Sequence, residues 1–182
     1  LRGGVTLRRE WFSPLDPASP LASGMDQAVV NQIVCIALGD HGISDFGELG
    51  ATGWGMSGRR RNRPLEVYSA GRRQELARWP NEGFVRVASA INSLSFSTDP
   101  QRIKRWSNTG EWFLSGYFFW PWCHNRVRVL SIESSGVVTL ADAPNYGIGP
   151  EGYFHFYNVR EELDSPGEYY LDRDSGTLLW YP

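Results

Sequence analysis

The sequence has little of what marks a metal or redox protein. It carries two cysteines and three histidines in 182 residues. Cys35 and Cys123 belong to no paired metal motif, and His41, His124 and His155 stand at no zinc-ligand spacing. Cys35, inside "QIVCIAL", reads as a small buried hydrophobe. A Cys35–Cys123 disulfide is one option that sequence alone leaves open. No metal site and no cofactor motif is found. The formal net charge of −2 gives no reason to expect nucleic acid or an acidic membrane surface. No apolar run approaches the roughly 20 residues that a membrane helix needs. Helical periodicity is also scarce. The one helix candidate is "VREELDSP" (159–166), which Ser165-Pro166 cuts short.

What is present is aromatic and turn-rich. Aromatics make up 14% of the chain, eight of them Trp, and 20 Gly and 11 Pro are spread along it as punctuation. The length suits one domain with a real core and is short for two. "QAVVNQIVCIAL" (27–38) is the longest apolar run, and its Val and Ile favour a buried strand. "PLEVYSAGRRQELARWP" (64–80) reads as two strands around a turn at Ala70-Gly71. Further strand signals are "GFVRVASAI" (83–91), "EWFLSGYFFW", "RVRVLSIES" (126–134), "GVVTLAD" (136–142) and "GYFHFYNV" (152–159). A C-terminal hairpin is expected over 168–181, with "EYYL" and "TLLWY" as strands and Gly176 at a positive φ in the loop. The segment 39–63 holds seven glycines and little periodicity, and is expected to be a long surface loop. The fold class is therefore all-β: a single barrel- or sandwich-like domain of about eight to ten short antiparallel strands with one long Gly-rich loop.

The acidic residues Glu161, Glu162, Asp164, Glu168, Asp172 and Asp174 invite an enzymatic reading. Glycosidases set two carboxylates about 5 Å or 6.5–9.5 Å apart across the scissile bond. Glu168 and Asp172 share a strand face but lie roughly 13 Å apart at the usual strand rise. Turn chemistry accounts for Asp164, Ser165, Asp172 and Asp174 instead, through bonds to backbone N–H groups. "GWGMSG" (53–58) fails the G-x-S-x-G pattern, and no phosphate loop or catalytic Ser-His order has support. No catalytic residue is assigned. The run "RRRNR" (59–63) reads as a solvated loop that also has the chemistry to meet sulfate or uronate groups.

Three stretches taken together resemble a known group. "RPLEVYSAGRRQELARWPNEGF", "GYFFWPW" and "FYNVREELDSPGEYYLDRDSGTLLWYP" are similar to a region of large bacterial secreted proteins built on a right-handed parallel β-helix. These are the glycoside-hydrolase and polysaccharide-lyase-like proteins, with the α-1,3-galactosidase family among them. The likeness runs from about Pro64 to the C-terminus, and "ELDSPGEYYLDRDSGTL" is its specific part. It implies a β-barrel-like accessory domain whose parent cleaves polysaccharide with carboxylates on the β-helix. It also implies a bacterial, extracellular location and an adjacent β-helix catalytic domain as partner. Residues 1–10, "LRGGVTLRRE", are then expected to be the junction to that helix, and the chain an excised piece of a longer protein.

"EWFLSGYFFWPWCHN" (111–125) carries the functional question. Alternation puts Trp112, Leu114, Gly116, Phe118 and Trp120 on one face and Phe113, Ser115, Tyr117 and Phe119 on the other. Both faces are apolar, which suits a strand between two layers and makes most of these rings core. Trp122, after Pro121, falls where a loop begins. With Trp54, Trp106 and Trp120 it is expected to be exposed, and flat indoles match the C–H face of a pyranose. His124 and Asn125 are expected to take the hydroxyls. The resulting expectation is a non-catalytic carbohydrate-binding module for a polysaccharide or oligosaccharide. The alternative is a domain that braces the β-helix or walls its cleft, without affinity of its own.

Overall fold

The computed structural model describes residues 4–55, 63–106 and 110–182. Among these residues the chain is mostly short strands with a few helical turns, arranged in four sheets. The all-β class expected from turn spacing is what is found, in a sandwich-like form.

The larger, nine-stranded sheet is built on three strands, Phe113–Tyr117, Asn125–Ile132 and Tyr153–Tyr157, with Phe113–Tyr117 in the middle and antiparallel to both neighbours. The sheet curls strongly. Val85–Arg86 pairs with Tyr153–Tyr157 at one end, and Ser89–Ala90 pairs with Ser95–Ser97 at the other. One segment, 85–90, thus touches both ends. The two edges are joined through the chain at Val87–Ala88, so no strand ladder closes a barrel among the described residues.

Alternation along these strands sends Leu114, Phe118, Val127, Val129, Val138, Leu140, Phe154 and Phe156 to the inside of the curl, all buried. Aromatic rings there pack edge to face, with Phe96–Phe154 at 4.8 Å and Trp106–Phe156 at 4.8 Å. Burying each such side chain contributes about 1.5–3 kcal/mol. The outward residues Phe113 and Ser115 are buried too, because the second layer covers that face. Both sides of the aromatic strand are therefore occupied, as its sequence predicts.

The second layer is a five-stranded sheet in the order Ser13–Pro14, Val34–Ala37, Thr177–Trp180, Glu168–Asp172, Glu75–Leu76. The C-terminal hairpin forms as expected. Gly176 adopts φ 70°, and Asp172 accepts the Ser175 N–H at 3.2 Å. The turn at Ala70-Gly71 also forms, between Tyr68–Ser69 and Arg72–Arg73.

Four expectations are corrected. The run 27–38 is not one strand: Asp26 caps a helical turn, Gln27–Val30, and only Val34–Ala37 is extended. The candidate helix at 159–166 shrinks to a 3-10 turn, Arg160–Glu162. The segment 39–63 is not a free loop, since Gly47–Glu48 pairs with Arg63–Pro64 and Thr52–Gly53 pairs with Asn125–Arg126. Its residues 56–62, including most of "RRRNR", lie outside the described residues. Both cysteines are free, with Cys123 buried and Cys35 half-buried.

Trp106 is the fourth correction in side-chain terms. It is 6% exposed, packed against Trp79, Trp112 and Phe156. Its indole N–H donates to the Glu162 carboxylate at 2.6 Å. Glu162 is fully buried and also receives Arg102 and, at 3.2 Å, Arg105. Arg102 reaches Asp164 at 3.3 Å and lies over the Trp79 ring. This network fastens the Pro100–Ile103 turn to the Arg160–Glu162 turn. Burial pushes the Glu162 carboxyl above its ordinary range, and the hydrogen bonds from Arg102 and Trp106 oppose that. Removing one partner of a buried pair is expensive because it strands the other. Glu162→Ala is expected to lower the unfolding free energy by about 3 kcal/mol, the low end for such losses, because both arginines keep some solvent access. Urea denaturation of the two proteins checks it.

Candidate functional site

Among the described residues, five of the eleven exposed large hydrophobics gather in the loops at one rim of the curled sheet: Trp54, Phe119, Trp120, Trp122 and Tyr146. Trp54 is 61% exposed, Trp122 56% and Tyr146 44%. Trp122 stands between the other two, edge to face with Trp54 at 5.9 Å and 90° and with Tyr146 at 5.4 Å and 74°. Trp120 is exposed as well, but its ring partner is Phe119 at 5.0 Å. The strand ends at Tyr117, so the alternation that would have turned Trp120 inward stops before it.

The ridge is held from below by Asn125. This buried amide donates from Nδ2 to the Trp54 carbonyl at 3.1 Å and accepts the Asn145 N–H on Oδ1 at 3.1 Å. One side chain thus fixes both the Trp54 loop and the loop that carries Tyr146. The Trp54 N–H donates to the His124 carbonyl at 3.1 Å. Close approach requires Gly53, at φ 134°, where a Cβ would fall 2.7 Å from the Asn125 Cα. Asn125 is therefore a positioning residue, not the exposed hydroxyl partner that the sequence suggested. His124 is half-buried on the sheet face, with Nε2 2.9 Å from Ser115 Oγ and its ring against Tyr117. Tyr146, in "APNYGIG", carried no periodic signal and was missed.

The outward face of the same strands presents a second feature. Ser115 lies opposite both Arg126 and His155 in the sheet register, so the three form a row on the outward face. Tyr157, two residues after His155, stacks on Phe113 at 5.5 Å. Together with Arg73, Glu75, Arg78 and Tyr169 they line a cleft of about 260 Å³ between the two layers. Burial first, then Arg78, His124 and Arg126, drives His155 from its ordinary 6.5 to about 3, so its imidazole is neutral.

The acidic residues mostly have structural partners. Glu168 is buried and accepts the backbone N–H groups of Arg78, Asp164 and Ser165 at 3.2–3.3 Å. Its burial outweighs those donors and raises the carboxyl to about 8. Asp164 accepts from the Asn81 amide at 2.8 Å. The expectation that Asp164 and Ser165 accept backbone N–H groups before Pro166 is thus corrected: Glu168 is the acceptor, and Asp164 and Ser165 supply the backbone donors.

No protein-family model matches the sequence, and no curated protein matches it significantly. A solved structure of a glycoside hydrolase does share the fold, with a TM-score of 0.55 and 17% sequence identity. The match covers 83% of this chain and 26% of that one, so the chain corresponds to about a quarter of the hydrolase. At that identity the likeness establishes the architecture: an all-β domain of a kind found within a carbohydrate-active protein.

The depressed His155 predicts a pH signature. Its folded-state value lies below the unfolded one, so its contribution is intact above pH 6.5 and is lost as pH falls toward 3. The loss amounts to roughly 1.4 kcal/mol per pH unit over that window. Replacing His155 with Gln is expected to flatten the difference profile between pH 6.5 and 4.5, measured by chemical denaturation. Parallel profiles for the two proteins would mean that His155 is not buried as described.

Proposed function

We propose that this domain is a carbohydrate-binding module that takes a soluble polysaccharide or oligosaccharide on the Trp54, Trp122 and Tyr146 ridge. The single observation that carries the reading is the clustering of exposed indoles on a base pinned by a buried amide. Exposed rings that are held rigid lose little entropy when a sugar stacks on them, which favours binding. The perpendicular setting of Trp54 and Trp122 bounds a pyranose on two sides. Coplanar rings would suit the flat face of a crystalline polymer, whereas a corner suits one free chain. Trp120 and Phe119 extend the surface along the rim. Trp106 is left out because it is core, and Asn125 acts by holding the loops.

In this reading the chain works as an accessory unit of a secreted bacterial polysaccharide-degrading protein with a β-helix catalytic domain beside it, and it does no chemistry itself. The glycoside hydrolase likeness supports the carbohydrate context. It also favours a second reading, in which the domain forms one wall of the parent's cleft, because the matched region is only a quarter of that protein.

Affinity electrophoresis against a panel of soluble polysaccharides is the test. At least one glycan is expected to retard the protein, with Trp122→Ala and Trp54→Ala each weakening binding about tenfold, as for truncation of an aromatic anchor. Crystalline cellulose is expected to bind no better than a blank. Absence of retardation across the panel would leave the wall reading in its place.

A further inference from the structure

The cleft on the outward face of these strands is lined in part by polar groups without a partner among the described residues. The Tyr157 hydroxyl and the His155 Nδ1 are buried and have no hydrogen-bond partner among the described residues. Tyr157 itself is 92% buried, being 8% exposed. A buried hydroxyl left unpaired is costly, so a fold tolerates it where something else completes the bond. Three arginines also reach the cleft. Two are engaged: Arg73 pairs with Glu66 at 2.9 Å, and Arg78 donates to the Pro80 and Gly83 carbonyls at 2.9 and 2.7 Å and lies 3.6 Å from Glu75. Arg126 has no carboxylate partner among the described residues.

The chemistry of this arrangement is one-sided. A guanidinium without a counter-ion, half-buried on a strand, is stabilised by an oxyanion far more than by water, through charge-assisted paired N–H donors. Tyr157 adds an O–H donor, and the neutral His155 adds one more hydrogen-bonding nitrogen. A volume near 260 Å³ is below the roughly 300–1,000 Å³ of sites for drug-sized ligands, which limits the occupant to one sugar ring or its acidic substituent. The cleft also adjoins the ridge along the chain. Asn125 pins Trp54, and the next residue, Arg126, faces the cleft on the opposite side of the strand.

We propose that the cleft receives the oxyanion of an acidic glycan residue, either a uronate carboxylate or a sulfate ester, with Arg126 as its charge partner and the Tyr157 hydroxyl donating to it. The proposal rests on the glycan-binding reading of the ridge and names the class of glycan. A ridge acting alone would stack neutral and acidic sugars alike.

The test is isothermal titration calorimetry with three probes: trigalacturonate, its neutral carboxyl-reduced counterpart, and an O-sulfated neutral trisaccharide. An acidic probe is expected to bind about tenfold more tightly than the neutral one, the scale of one charge-assisted hydrogen-bond pair. Which acidic probe binds distinguishes carboxylate from sulfate. Arg126→Gln is expected to erase the preference, Arg126→Lys to keep part of it, and Tyr157→Phe to weaken the acidic probe several-fold. Phe removes a hydroxyl that has no partner among the described residues, so that variant stays folded even if a change at Arg126 does not. Equal affinity for acidic and neutral probes, or an acidic preference that survives both Arg126→Gln and Tyr157→Phe, would overturn the oxyanion site and leave the ridge intact. If none of the three probes binds, the oxyanion site is also overturned, and the polysaccharide panel then decides separately on the ridge.

Discussion

Coverage of the Phe113–Tyr117 strand on both faces is the constraint from which the rest of the molecule follows. Its inward residues, with those of Asn125–Ile132 and Tyr153–Tyr157, fill the curled sheet with Leu, Val and Phe. Its outward residues lie against a second layer, and the rings of Phe113 and Tyr157 stack there. A strand buried on both sides cannot exchange its register without moving a whole apolar row into the wrong layer. The loops leaving its ends are therefore fixed in place, and one of them carries Trp120 and Trp122.

The polar groups taken inside reinforce this frame at two places. Glu162 gathers Arg102, Arg105 and the Trp106 indole, and Glu168 gathers three backbone N–H groups of neighbouring segments. Each is a buried carboxyl group whose oxygens find several donors, as buried polar groups require. Asn125 does the same with an uncharged amide at the rim. It differs in consequence, because what it holds is an exposed aromatic surface rather than more core.

Much of the fold was legible in the sequence where local chemistry and tertiary packing agree. The C-terminal hairpin, the Ala70-Gly71 turn and the two-sided burial of "EWFLSG" all follow from alternation and turn residues. Reading failed where distant residues decide. The segment around Trp54 looked like a loop because its strands are two residues long and find their partners at Arg63 and Asn125. Trp106 looked exposed because "KRWSN" is polar, yet Glu162, 56 residues away, draws its indole inward. Tyr146 joined the ridge with no sign in its neighbours. The row Ser115, Arg126 and His155 was invisible because it exists only across three paired strands. Trp54 and Trp122, flanked by Gly or Pro, were the site residues that composition could suggest.

In the proposed binding mode the exposed indoles, not the buried ones, meet the glycan. Two-dimensional NMR of the tryptophan indole N–H groups, recorded while a retarding polysaccharide fragment is added, addresses it directly. The Trp54 and Trp122 signals are expected to move in a saturable way while those of Trp106 and Trp112 stay fixed. Shifts confined to other tryptophans, with Trp54 and Trp122 unmoved, would contradict it.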